Sequence, residues 1–67
     1  MDFNGIYETL FNFRHTLSGY TLKELKKEFD NYESLEVGYA FHKLVKEEYI
    51  EIEKISANDY KIIKVLK

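Results

Sequence analysis

The stretch VGYAFHKLVKEEYIEIEKISANDYKIIKVL, residues 37–66, changes its period half-way along. Up to Glu48 the apolar residues Val37, Ala40, Phe41, Leu44 and Val45 return every three or four positions, which is one face of an α-helix. Beyond Glu48, residues 49–55 and 60–66 alternate apolar with polar side chains, the period of a strand, and Ser56-Ala57-Asn58-Asp59 between them is a small polar turn. A helix running from about Leu35 to Glu48 and passing straight into a hairpin is therefore predicted. Closing that hairpin with Ile55 opposite Tyr60 puts Ile50, Ile52, Ile63 and Val65 on one face. It sets Glu51 against Lys64 on the other face and leaves Lys54 facing Lys61. A closure centred on Asn58-Asp59 would instead pair Glu53 with Lys64.

Upstream, Ser34 is placed to cap the helix, with Glu36 in its first turn, favourable to the helix dipole. Glu36, Tyr39, His42, Lys43 and Lys46 fall on the side opposite the apolar face. Asp30-Asn31-Tyr32-Glu33 carries turn-forming residues. Before it, Thr21 followed three residues later by Glu24 is a capping box, in which each side chain satisfies a free N–H at a helix start. A second helix is predicted from Leu22, with Leu22, Leu25, Phe29 and Tyr32 as a narrow apolar stripe and Lys23, Lys26, Lys27 and Asp30 facing away. Ser18-Gly19-Tyr20 breaks the pattern that precedes it, with Gly19 as a left-handed residue past a helix end. From Phe3 to Leu17 the apolar residues Phe3, Ile6, Tyr7, Leu10, Phe13 and Leu17 share one helical face, and Asp2 or Asn4 can cap this first helix.

The composition narrows the classes of function. With 67 residues, the chain has room for one domain and one core, and not also for an enclosed catalytic cavity, so an enzyme is not expected. It has no Cys, which removes disulfides and thiolate metal sites. His15 and His42 lack the spacing of a helical metal pair, and no nucleophile–base grouping or Gly-rich phosphate loop is present, so no cofactor is expected. No apolar run is long enough to span a bilayer, and residues 1–5 lack the basic flank of a secretion signal. The chain is read as soluble and cytoplasmic. A net charge of −2 gives no basic excess, and none of the segments 1–19, 20–46 and 47–67 is basic.

Three helices followed by a hairpin, the second and third joined by a short turn, resemble a winged helix-turn-helix domain of α+β class over most of the chain, roughly Ile6 to Leu66. Tyr20-Thr21-Leu22-Lys23-Glu24-Leu25 is similar to the family's start of its second helix, where a residue before the capped Thr often forms a small third strand. Residues 37–52, VGYAFHKLVKEEYIEI, resemble its third helix and the opening of its wing, with Leu44 and the pair Tyr49-Ile50 in the matching positions. The resemblance implies double-stranded DNA as partner, with the third helix in the major groove and the hairpin at a neighbouring backbone or minor groove. By that carry-over Tyr39, His42, Lys43 and Lys46 face DNA, Ser34 sits where the helix begins, and Lys54 and Lys61 flank the wing. Lys23, Lys26 and Lys27 could add salt-dependent backbone contacts. It also implies a bacterial or phage transcription regulator or accessory factor.

A different reading uses the same fold as a protein-binding module, such as an antirepressor or a phage inhibitor of a host complex. Glu36, Glu47, Glu51 and Glu53 favour it, since carboxylates repel phosphate. The first helix carries a further signal. Its apolar arc from Phe13 round to Phe11 is about 160 degrees wide, more than a small core needs, and Arg14 projects inside it. Tyr7, Phe11 and Arg14 are therefore candidates for a contact with a second copy or another partner, or else they cover the hairpin's edge.

Overall fold

A computed structural model describes residues 3–67. Helix α1 spans Phe3–Asn12, α2 Leu22–Glu28 and α3 Ser34–Lys46; strands β1, Ile50–Ser56, and β2, Asp59–Val65, form an antiparallel hairpin. The chain is thus an α+β domain of three helices and a hairpin wing. Among the described residues no helix is long and apolar enough to cross a membrane.

The three helices meet through the faces that their periodicity marks. Ile6 and Leu10 of α1, Leu22 and Leu25 of α2, and Val37, Ala40, Phe41 and Leu44 of α3 are buried together, joined by Leu17, Ile50 and Ile62. Asp2 and the side chain of Phe3 lie outside the described residues, and Asn4 is inside α1 instead of capping it. The α-helix also stops short of Leu17. Thr16 and Leu17 donate their N–H groups three residues back, to the carbonyls of Phe13 and Arg14 at 2.9 and 3.1 Å, and the Thr16 hydroxyl donates to the Phe13 carbonyl at 2.7 Å. This tightened turn over Arg14–Thr16 swings Leu17 into the core and leaves Phe13 56% exposed, off the face on which its spacing placed it.

Helix α2 begins as its capping box requires. The Glu24 N–H donates to Thr21 Oγ1 at 3.1 Å and the Thr21 N–H to Glu24 Oε1 at 2.9 Å. A second cap comes from far away in the chain. Asp59, at the start of β2 and almost fully buried, accepts through Oδ1 from the Lys23 N–H at 3.1 Å and from the Tyr60 N–H at 2.9 Å. Beside it, residues 19–21 lie along β2 and meet it through an isolated bridge. Gly19 N–H donates to the Ile62 carbonyl at 2.7 Å, Ile62 N–H donates to the Tyr20 carbonyl at 2.8 Å, and Thr21 bridges to Lys61. Gly19 has a φ of +92°, a left-handed conformation open to Gly without strain.

At α3 the cap is Glu33, not Ser34, which is the first helical residue. The Glu33 N–H donates to Glu36 Oε1 at 3.2 Å, so Glu36 folds back on the helix start and is buried instead of facing outward with Tyr39 and His42. The helix ends at Lys46, two residues before the predicted Glu48. Glu48 adopts a φ of +64°, and the N–H groups of Glu48 and Tyr49 donate to the carbonyls of Val45 and Leu44, each at 3.0 Å. That pair of bonds is a Schellman stop, with Glu where Gly is usual.

The hairpin register is the predicted one at both ends and differs in the middle. Ser56 faces Asp59, Glu51 faces Lys64 and Ile50 faces Val65, but between them Ile52 pairs with Ile62, Glu53 with Lys61 and Lys54 with Tyr60. Two bulges make the difference, one leaving Ile55 unpaired on β1 and one leaving Ile63 unpaired on β2. The shift has two causes visible in the side chains. It turns Ile62 into the core and Ile63 out to solvent, and it sets Glu53 across from Lys61 where the unbroken register would oppose Lys54 to Lys61.

Two substitutions test these features by chemical denaturation. Ile62→Ala should cost about 2–5 kcal/mol and Ile63→Ala no more than about 0.5 kcal/mol; the reverse order would mean an unbroken ladder. Glu48→Gly should raise stability by about 1 kcal/mol, because the left-handed conformation strains any side chain.

Candidate nucleic-acid interface

The outward stripe of α3 forms one wall of an open groove of about 960 Å³. From Ser34 and Leu35 the stripe climbs through Gly38, Tyr39, His42 and Lys43 to Lys46 and Glu47. Leu22 and Lys26 of α2 close the second side, and Ala57 and Asn58 at the hairpin tip, with Tyr60, close the third. The groove exists because the hairpin is pinned to the first turn of α2: Asp59 holds the tip beside α3.

Of the residues expected to face DNA, Ser34, Tyr39, His42, Lys43 and Lys46 converge on this groove. Lys54 and Lys61 do not line it. They are exposed on the hairpin, Lys54 opposite Tyr60 and Lys61 opposite Glu53. Lys26, expected to face away from the core with Lys23 and Lys27, is half-buried and reaches across α3, its Cε 3.9 Å from where a β-carbon on Gly38 would stand. Leu35, Gly38 and the tip residues Ala57 and Asn58 belong to the groove and were not singled out from the sequence. Leu35 could have been found: it shares the helical phase of Tyr39 and His42, away from the Val37–Leu44 face.

The charges around α2 and α3 are sorted. The groove holds Lys26, Lys43 and Lys46 against Glu47 alone, while the smaller cleft on the far side of α2 holds Glu24, Glu28 and Asp30 against Lys27. Glu36, which on a helical wheel belongs to the outward face of α3, is buried in the cap. The carboxylate of Glu47 is engaged as well. Tyr7 of α1 donates its hydroxyl to Glu47 Oε2 at 2.8 Å, and Lys43 Nζ lies 4.5 Å from the centroid of the same ring. Tyr7 thus stands between a cation and an anion one turn apart, holding the first on its π-face and the second on its hydroxyl. Burial, the hydrogen bond to Glu47 and the negative charge of Glu47 together push its hydroxyl up to a pKa of about 12. His42 is held edge-on to Phe41 and Tyr60, with centroids 5.3 and 5.2 Å away.

Phe11 and Arg14, proposed with Tyr7 as a partner surface, also have partners within the chain. Phe11 packs edge-to-face on Tyr49 at 4.9 Å, and the Arg14 guanidinium lies 4.1 Å over the Phe11 ring. Arg14 donates to the carbonyls of Lys67 and Phe11, both at 2.8 Å. Tyr7, Phe11 and Arg14 are half-buried by these contacts along the seam between the first helix and the chain that flanks the hairpin.

No family model, curated protein or solved structure matches the chain. The reading of its function therefore rests on the groove.

The Tyr7 arrangement has a pH signature. A phenol whose folded pKa lies above its unfolded value near 10 stabilises the fold fully below pH 10, and that contribution is lost as pH rises toward 12. The stability difference between wild type and Tyr7→Phe should accordingly shrink over that interval. Alkaline absorbance titration should show an ionisation near pH 12 in wild type that Tyr7→Phe removes.

Proposed function

We propose that this chain is a small winged-helix DNA-binding domain, serving as a transcription regulator or accessory factor. The observation that carries the reading is the gathering of Lys26, Lys43 and Lys46 around the exposed face of α3, with the hairpin tip beside it. An α-helix fits the major groove of B-DNA, and cations on its flanks meet the phosphates that border it. Helix α3 enters the major groove with Ser34 and Tyr39 toward the bases, Lys43 and Lys46 meet one strand, and Lys26 at the N-terminal half of α3 meets the other. Asn58 at the hairpin tip reaches the adjoining backbone. The net charge of −2 does not oppose this, since phosphate is attracted by the local field of the groove. It does limit affinity, because three lysines make few phosphate contacts.

Glu51 and Glu53 on the outer hairpin support the protein-binding alternative, in which the wing meets a basic partner. One experiment separates the two. In about 50 mM salt a random-sequence duplex should bind wild type, and the logarithm of the affinity should fall linearly with the logarithm of salt. Lys43→Glu with Lys46→Glu, checked for folding by circular dichroism, should weaken binding at least tenfold and reduce the salt slope by about 2. Absence of binding by wild type, or an unaltered slope in the variant, would overturn the reading.

A further inference from the structure

On a helix surface, residues i, i+3, i+4 and i+7 enclose a hole into which a partner's protruding group can fit. On the outward face of α3 these four are Leu35, Gly38, Tyr39 and His42, all lining the groove. One corner is empty of side chain. Gly38 lies in the interior of a 13-residue helix, where Gly is unfavourable relative to Ala. The fold does not require that vacancy: a β-carbon built there meets only Lys26 Cε, at 3.9 Å, an ordinary contact, and Gly38 does not have a positive φ. Leu35, 65% exposed, and the ring of Tyr39, 49% exposed, give the hollow apolar surface open to water, and the His42 imidazole closes its far corner. A depression that the domain keeps at a cost to its own helix, walled by exposed apolar surface and ringed by lysines, is shaped for something outside the chain.

We infer that this hollow seats the C5 methyl group of thymine, so that the domain favours A·T pairs in the major groove. The inference rests on the DNA-binding reading above. Along the major-groove edges of the bases, every group is a hydrogen-bond donor or acceptor except the thymine methyl and the ring carbons. Leu35 and Gly38 offer no side-chain hydrogen bond to any of those polar groups. A methyl is the one protruding group there that gains by leaving water for such a hollow. Its burial is worth about a fourfold change in affinity. Lys26, Lys43 and Lys46 hold phosphates on either side and bring the base edges to the face of α3.

The test uses two duplexes of the same alternating A·T sequence, one with thymine and one with uracil, which differ by the methyl and not in charge. Wild type should bind the thymine duplex about fourfold more tightly per methyl seated. Gly38→Ala, which fills the hollow, should melt at or above the wild-type temperature and bind both duplexes at the wild-type uracil level. Equal affinity of wild type for the two duplexes would overturn the inference and leave DNA binding standing. So would a Gly38→Ala variant that keeps the full preference. Failure of wild type to bind either duplex in about 50 mM salt would overturn the DNA reading, and the inference with it.

Discussion

The hairpin and the helices are locked to each other at the first turn of α2. The carboxylate of Asp59 is buried, and burial of such a group is tolerable only where donors replace its water; here the Lys23 and Tyr60 N–H groups do so. One acceptor thus satisfies an orphan donor of a helix 36 residues before it in the chain and the next donor of its own strand. The ladder from Gly19 and Tyr20 to Ile62 adjoins it, so the chain entering α2 and the chain leaving the hairpin turn are fastened over the same few residues. A two-stranded hairpin alone is marginal in water. With residues 19–21 hydrogen-bonded beside it and Asp59 bonded to the first turn of α2, it becomes a wall whose tip stands at a set place beside α3.

That placement decides what the charges can do. In a chain with 10 basic and 12 acidic residues, a random surface would present no coherent field. Here the local structure of α2 and α3 disposes of several acids. Glu24 and Glu36 return to cap the helices they belong to, and Glu47 is held by the Tyr7 hydroxyl. Each of these contacts is explicable from stability alone, as a cap or as a phenol–carboxylate bond. Their joint effect is electrostatic. Glu24 and Glu36 are drawn to the helix starts and Tyr7 lies between Glu47 and Lys43, so the groove sets Lys26, Lys43 and Lys46 against the one carboxylate of Glu47.

Much of the fold was legible in the amino-acid order because short-range physics governs it. The capping box at Thr21, the left-handed Gly19, the apolar face of Val37, Ala40, Phe41 and Leu44 and the change of period after Glu48 are all local signals, and each is realised in the structure. What was not legible depends on partners distant in sequence. Alternation alone cannot tell Ile62 from Ile63 as the buried residue, since that depends on two bulges that trade ladder continuity for burial and for an opposite-charge pair. Asp59 looks like any turn residue until α2 is brought to it. The candidate site divides in the same way. The α3 residues were found from helical phase, whereas Lys54 and Lys61 came from the resemblance alone as residues flanking the wing, and of the hairpin it is the tip residues Ala57 and Asn58, with Tyr60, that line the groove.

Glu48, Gly38 and Leu35 are among the residues that depart from what stability alone would choose. Glu48 holds a left-handed conformation, Gly38 interrupts a helix interior, and Leu35 exposes most of an apolar side chain in water. Glu48 stands at the Schellman stop that turns α3 into β1, so its strain belongs to the connection that brings the hairpin back toward the helices. Gly38 and Leu35 are different: a β-carbon at Gly38 would meet Lys26 Cε at an ordinary 3.9 Å, and Leu35 is 65% exposed. They are neighbours on the groove wall, one turn apart, in a domain small enough that each kilocalorie is a large share of its stability. Departures from local rules that share one place, and that place the mouth of the groove, are more economically explained by what the groove receives than by separate accidents of the fold.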